Sequence, residues 1–315
     1  MFAVSNFHFP SDFTPTFSHP ESKELVYGRI VIPFAKFWMK YVQRLEVFIK
    51  HAERIPQDGP AMIAMNHTGY WDFVYGGIPA AFNGGRLVRY MAKKEIFDTP
   101  VAGQIMRSLK HIPVDREAGA ESAREAVRRL KQGQLVGIFP EATISRSFEI
   151  KELREGAARI AYEGGVPLIP LILWGSQRVW TKGYPSVWRP KNAKIIMYVG
   201  EPVEVTADAK ETTERLRTAM QELLLKARNE YVERFGPMPE GEYWVPASMG
   251  GSAPTLEEAT IQDRKDAEER KKKRAERNAM LGVQQATDRA ELANATGVKK
   301  LLVRVKQRLR KIRTN

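Results

Sequence analysis

Between residues 61 and 235 short apolar runs alternate with stretches of helical periodicity, and this alternation limits the fold more than any other feature of the chain. It predicts strands over 61–66, 86–91, 111–114, 135–139, 166–174 and 195–199. Helices are predicted just after Asp72, around 101–109, and over 117–132, 152–163 and 210–235, with Gly133 and the Gly164-Gly165 pair as stops. Such a pattern specifies an α/β fold, a mainly parallel mixed sheet flanked by helices, with its functional loops at strand ends.

Before this block, 46–51 reads as a further strand, joined to 61–66 by a PQDGP turn. Residues 1–26 read as irregular, with scattered phenylalanines able to dock on the main body. Residues 30–45 carry Phe34, Phe37, Trp38, Tyr41 and Leu45 at three- and four-residue spacing, with Lys36, Lys40 and Arg44 to the side. That is an amphipathic helix begun near Pro33. After Gly236 a Pro/Gly-rich linker leads to residues 257–277, whose seven acidic and eight basic side chains suit a solvated helix. The expected division is therefore 1–50 as an N-terminal arm and membrane-facing helix, 51–250 as the catalytic domain, and 251–315 as a helical appendage.

The chain has 315 residues and no cysteine, which excludes disulfides, thiolate nucleophiles and Cys-based metal sites and fits a reducing cytoplasm. Its formal charge of +13 points to an anionic partner. No run approaches the roughly 20 apolar residues that span a bilayer, and the N-terminus lacks the basic start and apolar run of a signal peptide. Membrane contact is expected from the surface, at the cytoplasmic face of the plasma membrane. In the last segment Val298, Leu301, Leu302, Val305, Leu309 and Ile312 keep helical spacing among eight Lys/Arg and no acid. This design suits a helix lying in an anionic interface, or one packed on the core or a partner. Without interleaved aromatics for base stacking, it argues against nucleic acid.

Four stretches carry chemistry. In NHTGYWD (66–72), His67 sits at the mouth of a strand and Asp72 five residues on. On one continuous helix the two would lie about 140° apart. With His67 in the loop and Asp72 in the next helix's first turn, the carboxylate can hold Nδ1–H and leave Nε2 to accept a proton. A loop histidine and a dipole-favoured aspartate explain the same residues. In HIPVDRE (111–117), Arg116 lies between an extended piece and a helix start, where phosphate is readily held, although a surface ion pair fits one arginine equally. In IFPEATIS (138–145), Glu141 at a strand end stands beside Thr143, Ser145 and Arg146, a polar group suited either to a substrate or to a capped turn. VPLIPLILWG (166–175) reads as a core strand whose two prolines make it irregular or a channel wall.

The order of these four blocks resembles the 1-acyl-glycerol-3-phosphate acyltransferase family of glycerolipid synthesis, over roughly residues 30–205. The resemblance implies a glycerolipid-acyltransferase-like domain in which His67 is the general base and Asp72 orients it. It further implies Arg116 on the acceptor's phosphate and Glu141 on the glycerol backbone. Acyl-CoA or acyl carrier protein would be co-substrate, lysophosphatidic acid or a related phosphorylated glycerol the acceptor, with no metal and no covalent acyl-enzyme. Two departures stand in the third block: Ala142 replaces the usual glycine and Ile144 the usual phosphate-binding arginine. Arg146 or Lys151 is the candidate replacement cation. The same chemistry on glycerol-3-phosphate or another lysophospholipid, and a non-catalytic lipid-binding protein, are the competing readings.

Overall fold

The computed structural model describes residues 1–115, 119–190 and 193–294; Arg116 and the basic segment 297–315 lie outside the described residues. Among them, nine strands form one sheet: β1 (Phe2–Val4), β2 (Phe7–Phe9), β3 (Glu46–Lys50), β4 (Ala61–Met65), β5 (Val88–Lys93), β6 (Ile112–Val114), β7 (Leu135–Ile138), β8 (Leu168–Trp174) and β9 (Lys194–Val199). Their order is β1-β2-β3-β9-β8-β4-β7-β5-β6. The run β8-β4-β7-β5-β6 is parallel throughout, while β9 pairs antiparallel with β8 and β1 antiparallel with β2. This is the mixed, mainly parallel sheet that strand–helix alternation requires.

Side chains alternate across the sheet with the strand period of two. Met62 and Ala64 of β4 face one core, with Ile172 and Trp174 of β8. The helices Gly119–Lys131, Gly156–Gly164 and Ala209–Phe235 cover that face, supplying Leu130, Ile160, Leu216, Met220 and Leu224. Ala61, Ile63 and Met65 face the other core, with Leu171 and Leu173. That second core is closed by Phe7, Phe9 and Phe13 from the N-terminus, with Phe7 and Phe9 against Phe82 and Phe13 stacked on Phe9.

Several expectations are corrected. Residues 1–26 are not irregular throughout: they supply β1, β2 and a 3-10 turn, Pro20–Lys23. Two phenylalanines of β2 bury themselves, and β2 extends the sheet alongside β3. Carboxylates from the same arm reach buried cations, Glu21 pairing with Arg86 at 3.1 Å and Glu24 with Arg89. The amphipathic helix does not begin near Pro33 and does not reach Leu45. It runs through Tyr27–Val31, Ile32–Phe37 and Trp38–Val42, with wide π turns at each end. Proline inside a helix lacks a donor and crowds the carbonyl four residues back, and a π turn immediately before it makes room. The strand Leu168–Trp174 is regular and wholly buried despite Pro170, which keeps its place opposite Ala64. The helix expected after Asp72 is broken into Asp72–Tyr75 and Ile78–Phe82 around Gly76-Gly77.

Met1–Leu256 forms one compact unit and a second begins at Glu257. Its described residues continue the helix Leu256–Asn294, which carries mixed charge, with a Glu269–Lys273 pair at 2.6 Å one turn apart. No helix of the described residues is long and apolar enough to cross a membrane.

Candidate active site

Because β8, β4 and β7 are adjacent and parallel, the loops leaving their carboxyl ends are neighbours. The β4 loop carries His67 to Asp72, the β7 loop Phe139 to Ser147, and the β8 loop Gly175 to Thr181. Asn66 ends β4 as a joint between strands: its side-chain amide donates to the carbonyl of Leu173 at 2.9 Å and accepts that residue's N–H at 2.7 Å. The start of the histidine loop is thereby fixed to β8.

Asp72 opens the short helix Asp72–Tyr75 and has no exposed surface. Its Oδ2 lies 3.0 Å from His67 Nδ1 and accepts the backbone N–H groups of Thr68 at 2.6 Å and Gly69 at 2.7 Å. Its Oδ1 accepts the Ser176 hydroxyl at 2.6 Å. A carboxylate only accepts, so His67 Nδ1 carries the proton in this pair and Nε2 holds the free lone pair. Gly69 is needed for closeness: a Cβ there would come 2.9 Å from the Trp180 carbonyl and 3.3 Å from Asp72 Oδ1. The imidazole stacks on Phe139, centroids 4.3 Å apart, and keeps about a fifth of its side chain open to solvent, 21%. A positioned, partly open base backed by a buried acceptor is what proton removal from a hydroxyl requires.

The third block grips His67 by its main chain. Glu141 Oε1 accepts the His67 N–H at 2.8 Å, and Ser145 N–H donates to the His67 carbonyl at 2.7 Å. Glu141 Oε2 accepts the Lys151 N–H at 3.3 Å. Burial pushes the Glu141 carboxyl up to about 8, against the opposing pull of the His67 and Lys151 N–H groups. The resemblance implied a glutamate on the glycerol backbone; in the structure both carboxyl oxygens serve the protein's own backbone. Ala142, at the position where the family carries glycine, has φ of 58°, in the left-handed region.

The structure thus brings His67, Asp72 and Glu141 together. Thr143 and Arg146 follow on the same loop, both half-buried, with the Arg146 guanidinium against Gly183. Ile144 is buried among them. Arg116 lies outside the described residues; β6, which ends two residues before it, runs parallel to β5, β7 and β4 at the far side of the sheet. Sequence reasoning missed Asn66 as a joint, and it missed Thr68, Ser176 and Thr181, whose hydroxyls interlock: Thr68 Oγ1 meets Ser176 Oγ at 2.9 Å and Thr181 donates to the Thr68 carbonyl at 2.7 Å. The available signal was a polar residue one glycine beyond a buried parallel strand, in Trp174-Gly175-Ser176.

The family model described as Acyltransferase matches residues 46–174. A 1-acyl-sn-glycerol-3-phosphate acyltransferase of Bacillus subtilis (strain 168) is 33% identical over 184 residues, 56% of this chain and 84% of that protein. The chloroplastic 1-acyl-sn-glycerol-3-phosphate acyltransferase LPAT1 of Arabidopsis thaliana is 25% identical over 170 residues, 52% of this chain and 46% of its own length. The crystal structure of the 1-acyl-sn-glycerophosphate acyltransferase PlsC from Thermotoga maritima superposes with a TM-score of 0.53 at 24% identity, covering 64% of this chain and 80% of that one. That likeness is one of fold.

Proposed function

This chain belongs to the 1-acyl-sn-glycerol-3-phosphate acyltransferase family, and from that premise we propose that it moves an acyl group from a thioester donor to the free hydroxyl of 1-acyl-glycerol-3-phosphate, giving phosphatidic acid. The observation that carries the reading is the 3.0 Å approach of His67 Nδ1 to a buried, fully engaged Asp72. His67 Nε2 takes the acceptor's hydroxyl proton as the oxygen attacks the thioester carbon. The tetrahedral intermediate then collapses, the carbon–sulfur bond breaks, and the imidazolium returns its proton to the departing thiolate. Asp72 stabilises the imidazolium that exists between those steps. Acyl-CoA or acyl carrier protein enters as co-substrate, and this base chemistry calls on no further cofactor.

The acceptor's phosphate is assigned to Arg116, with Arg146 and Thr143 of the β7 loop. Glu141 is better placed to hold the histidine than to touch glycerol. Ile144 favours a second reading of the acceptor. It stands where the family carries a cation, and it is buried. One fewer charged hydrogen bond to phosphate is worth about 1.5–3 kcal/mol, enough to move preference toward glycerol-3-phosphate or another lysophospholipid.

The site is proposed to work at a membrane surface, peripherally and on the cytoplasmic face. In support, Ile30, Phe34, Phe37 and Tyr41 recur at four, three and four along the N-terminal helix, and each is more than half exposed. From the same helix Trp38 packs on Trp71, inside the histidine loop, at 6.4 Å, and on Trp188 at 5.5 Å. An apolar stripe next to the loop of the base suits an acceptor that arrives from lipid.

The test is acyl transfer by purified protein from acyl-CoA and from acyl carrier protein to a panel of acceptors, with the acylated position read by lipase digestion and mass spectrometry. The reading expects 1-acyl-glycerol-3-phosphate to give the highest kcat/KM. A higher kcat/KM on another acceptor would transfer the assignment to that lipid, and no transfer to any acceptor would leave a lipid-binding protein.

A further inference from the structure

Asp72 is gripped from two sides, and only one of them is its own loop. Oδ2 faces His67 and the Thr68 and Gly69 N–H groups, all within six residues of chain. Oδ1 takes its 2.6 Å hydrogen bond from Ser176, more than a hundred residues away on the β8 loop. Ser176 is itself buried, at 1% exposure, and directly follows Gly175. That glycine has φ of 102°, and a Cβ on it would stand 2.0 Å from the Lys194 carbonyl. The tight turn therefore delivers the serine to one place.

The direction of every bond in the chain follows. Asp72 accepts, so the Ser176 hydroxyl donates to Oδ1; the Thr68 hydroxyl, 2.9 Å from Ser176 Oγ, must then donate to the serine. On the other oxygen the donor is His67 Nδ1–H. The Thr68 and Gly69 N–H groups hold Oδ2 but leave the tilt of the carboxylate plane about that oxygen open. The Ser176 bond to Oδ1 fixes the plane, and with it the lone-pair direction that Oδ2 offers the imidazole.

We propose that Ser176 is a positioning residue for the reaction: from the neighbouring strand it fixes the Asp72 carboxylate, and through it the Nδ1–H tautomer and orientation of His67. The inference rests on His67 being the base. Hydrogen bonds that orient such a pair act as a unit with it, so their losses do not add.

The experiment compares wild type, Ser176→Ala, Ser176→Thr, Asp72→Asn and the Ser176→Ala/Asp72→Asn double variant. All are used as the full chain and matched for thermal stability. Ser176→Ala is expected to lower kcat by about 10- to 100-fold, with both KM values nearly unchanged, and Ser176→Thr to recover most of the loss by restoring the hydroxyl. In the double variant the serine change should add little to the Asp72→Asn loss. A second readout is independent of turnover: with 15N-labelled histidine, His67 (identified by its disappearance in His67→Ala) should show the Nδ1–H tautomer in wild type and a tautomer mixture in Ser176→Ala. An unchanged tautomer and kcat in Ser176→Ala, or losses that multiply fully in the double variant, would overturn the assignment. Wild-type turnover in Asp72→Asn would instead remove the base reading beneath it.

Discussion

His67 donates its backbone N–H to Glu141 Oε1 across 2.8 Å, so the two residues are joined through main chain and not through the imidazole. A glutamate used this way should matter for turnover more than for acceptor binding. Glu141→Ala leaves the His67 N–H without its acceptor, a loss of about 1–3 kcal/mol, and is expected to lower kcat while the acceptor KM changes little. Glu141→Gln keeps an acceptor oxygen for the His67 N–H, giving up only the longer 3.3 Å bond from the Lys151 N–H, and should retain more activity than Glu141→Ala. Steady-state kinetics decide the matter: a large rise in acceptor KM with kcat intact would place Glu141 on the substrate.

Two buried groups pull the pH dependence of stability in opposite senses. The Glu141 carboxyl is pushed up to about 8 from an ordinary 4.5 by burial. Between those values the folded chain keeps a proton that the unfolded chain has released, so stability falls as pH rises. Burial, aided by Arg89, pulls His111 down to about 3 from 6.5; its Nδ1 accepts the Tyr90 N–H. Across that window the unfolded chain binds the extra proton, so stability rises with pH. The melting temperature should therefore climb from about pH 3 to 4.5, stay nearly level to 6.5 where the two oppose, and fall toward 8. Thermal melts across this range should show the alkaline fall flattened in Glu141→Gln. His111→Asn, whose amide oxygen can stand near the place of Nδ1, should flatten the acid rise.

Ala142 occupies the left-handed region at a φ of 58°. A side chain there costs about 1–2 kcal/mol, offset in part by the extra freedom of glycine in the unfolded chain. Ala142→Gly is expected to stabilise the protein by about 1 kcal/mol, roughly 2 °C in Tm, leaving kcat within twofold. Calorimetry would count against the backbone account if the variant melted lower.

Much of this arrangement was legible in the residues. The strand–helix alternation specified the sheet, because buried parallel strands and amphipathic crossovers leave distinct periods in sequence. His67 and Asp72 were visible as a loop histidine and a first-turn carboxylate. Ser176 was not, since its partner lies on another strand and only the sheet order brings the two together. The backbone partners of Glu141 were hidden for the same reason: a strand-end carboxylate looks alike in sequence whether it faces substrate or a neighbouring N–H. The N-terminal arm was misread because β2 is three residues long and gains its place from pairing with β3, which periodicity cannot register.

Surface attachment should depend on the exposed helix stripe and on the basic tail separately. Phe34→Ser/Phe37→Ser is expected to weaken binding to neutral and anionic vesicles alike. Deleting 297–315 should weaken binding to anionic vesicles and reduce its salt dependence, since each cation near such a surface contributes about 1 kcal/mol. Chemistry on detergent-dispersed substrate should survive both changes. Vesicle sedimentation at two salt concentrations reads the outcome, and equal binding of full-length and truncated protein to anionic vesicles would give the tail another purpose.

The most direct measurement is the turnover of His67→Ala with an acyl thioester and 1-acyl-glycerol-3-phosphate, on protein whose melting temperature matches wild type. The partly open histidine contributes little to the core, so the variant should fold, and its kcat should drop by at least about 10²–10⁴-fold. Near-wild-type turnover in that folded variant would contradict His67 as the base and the mechanism built on it.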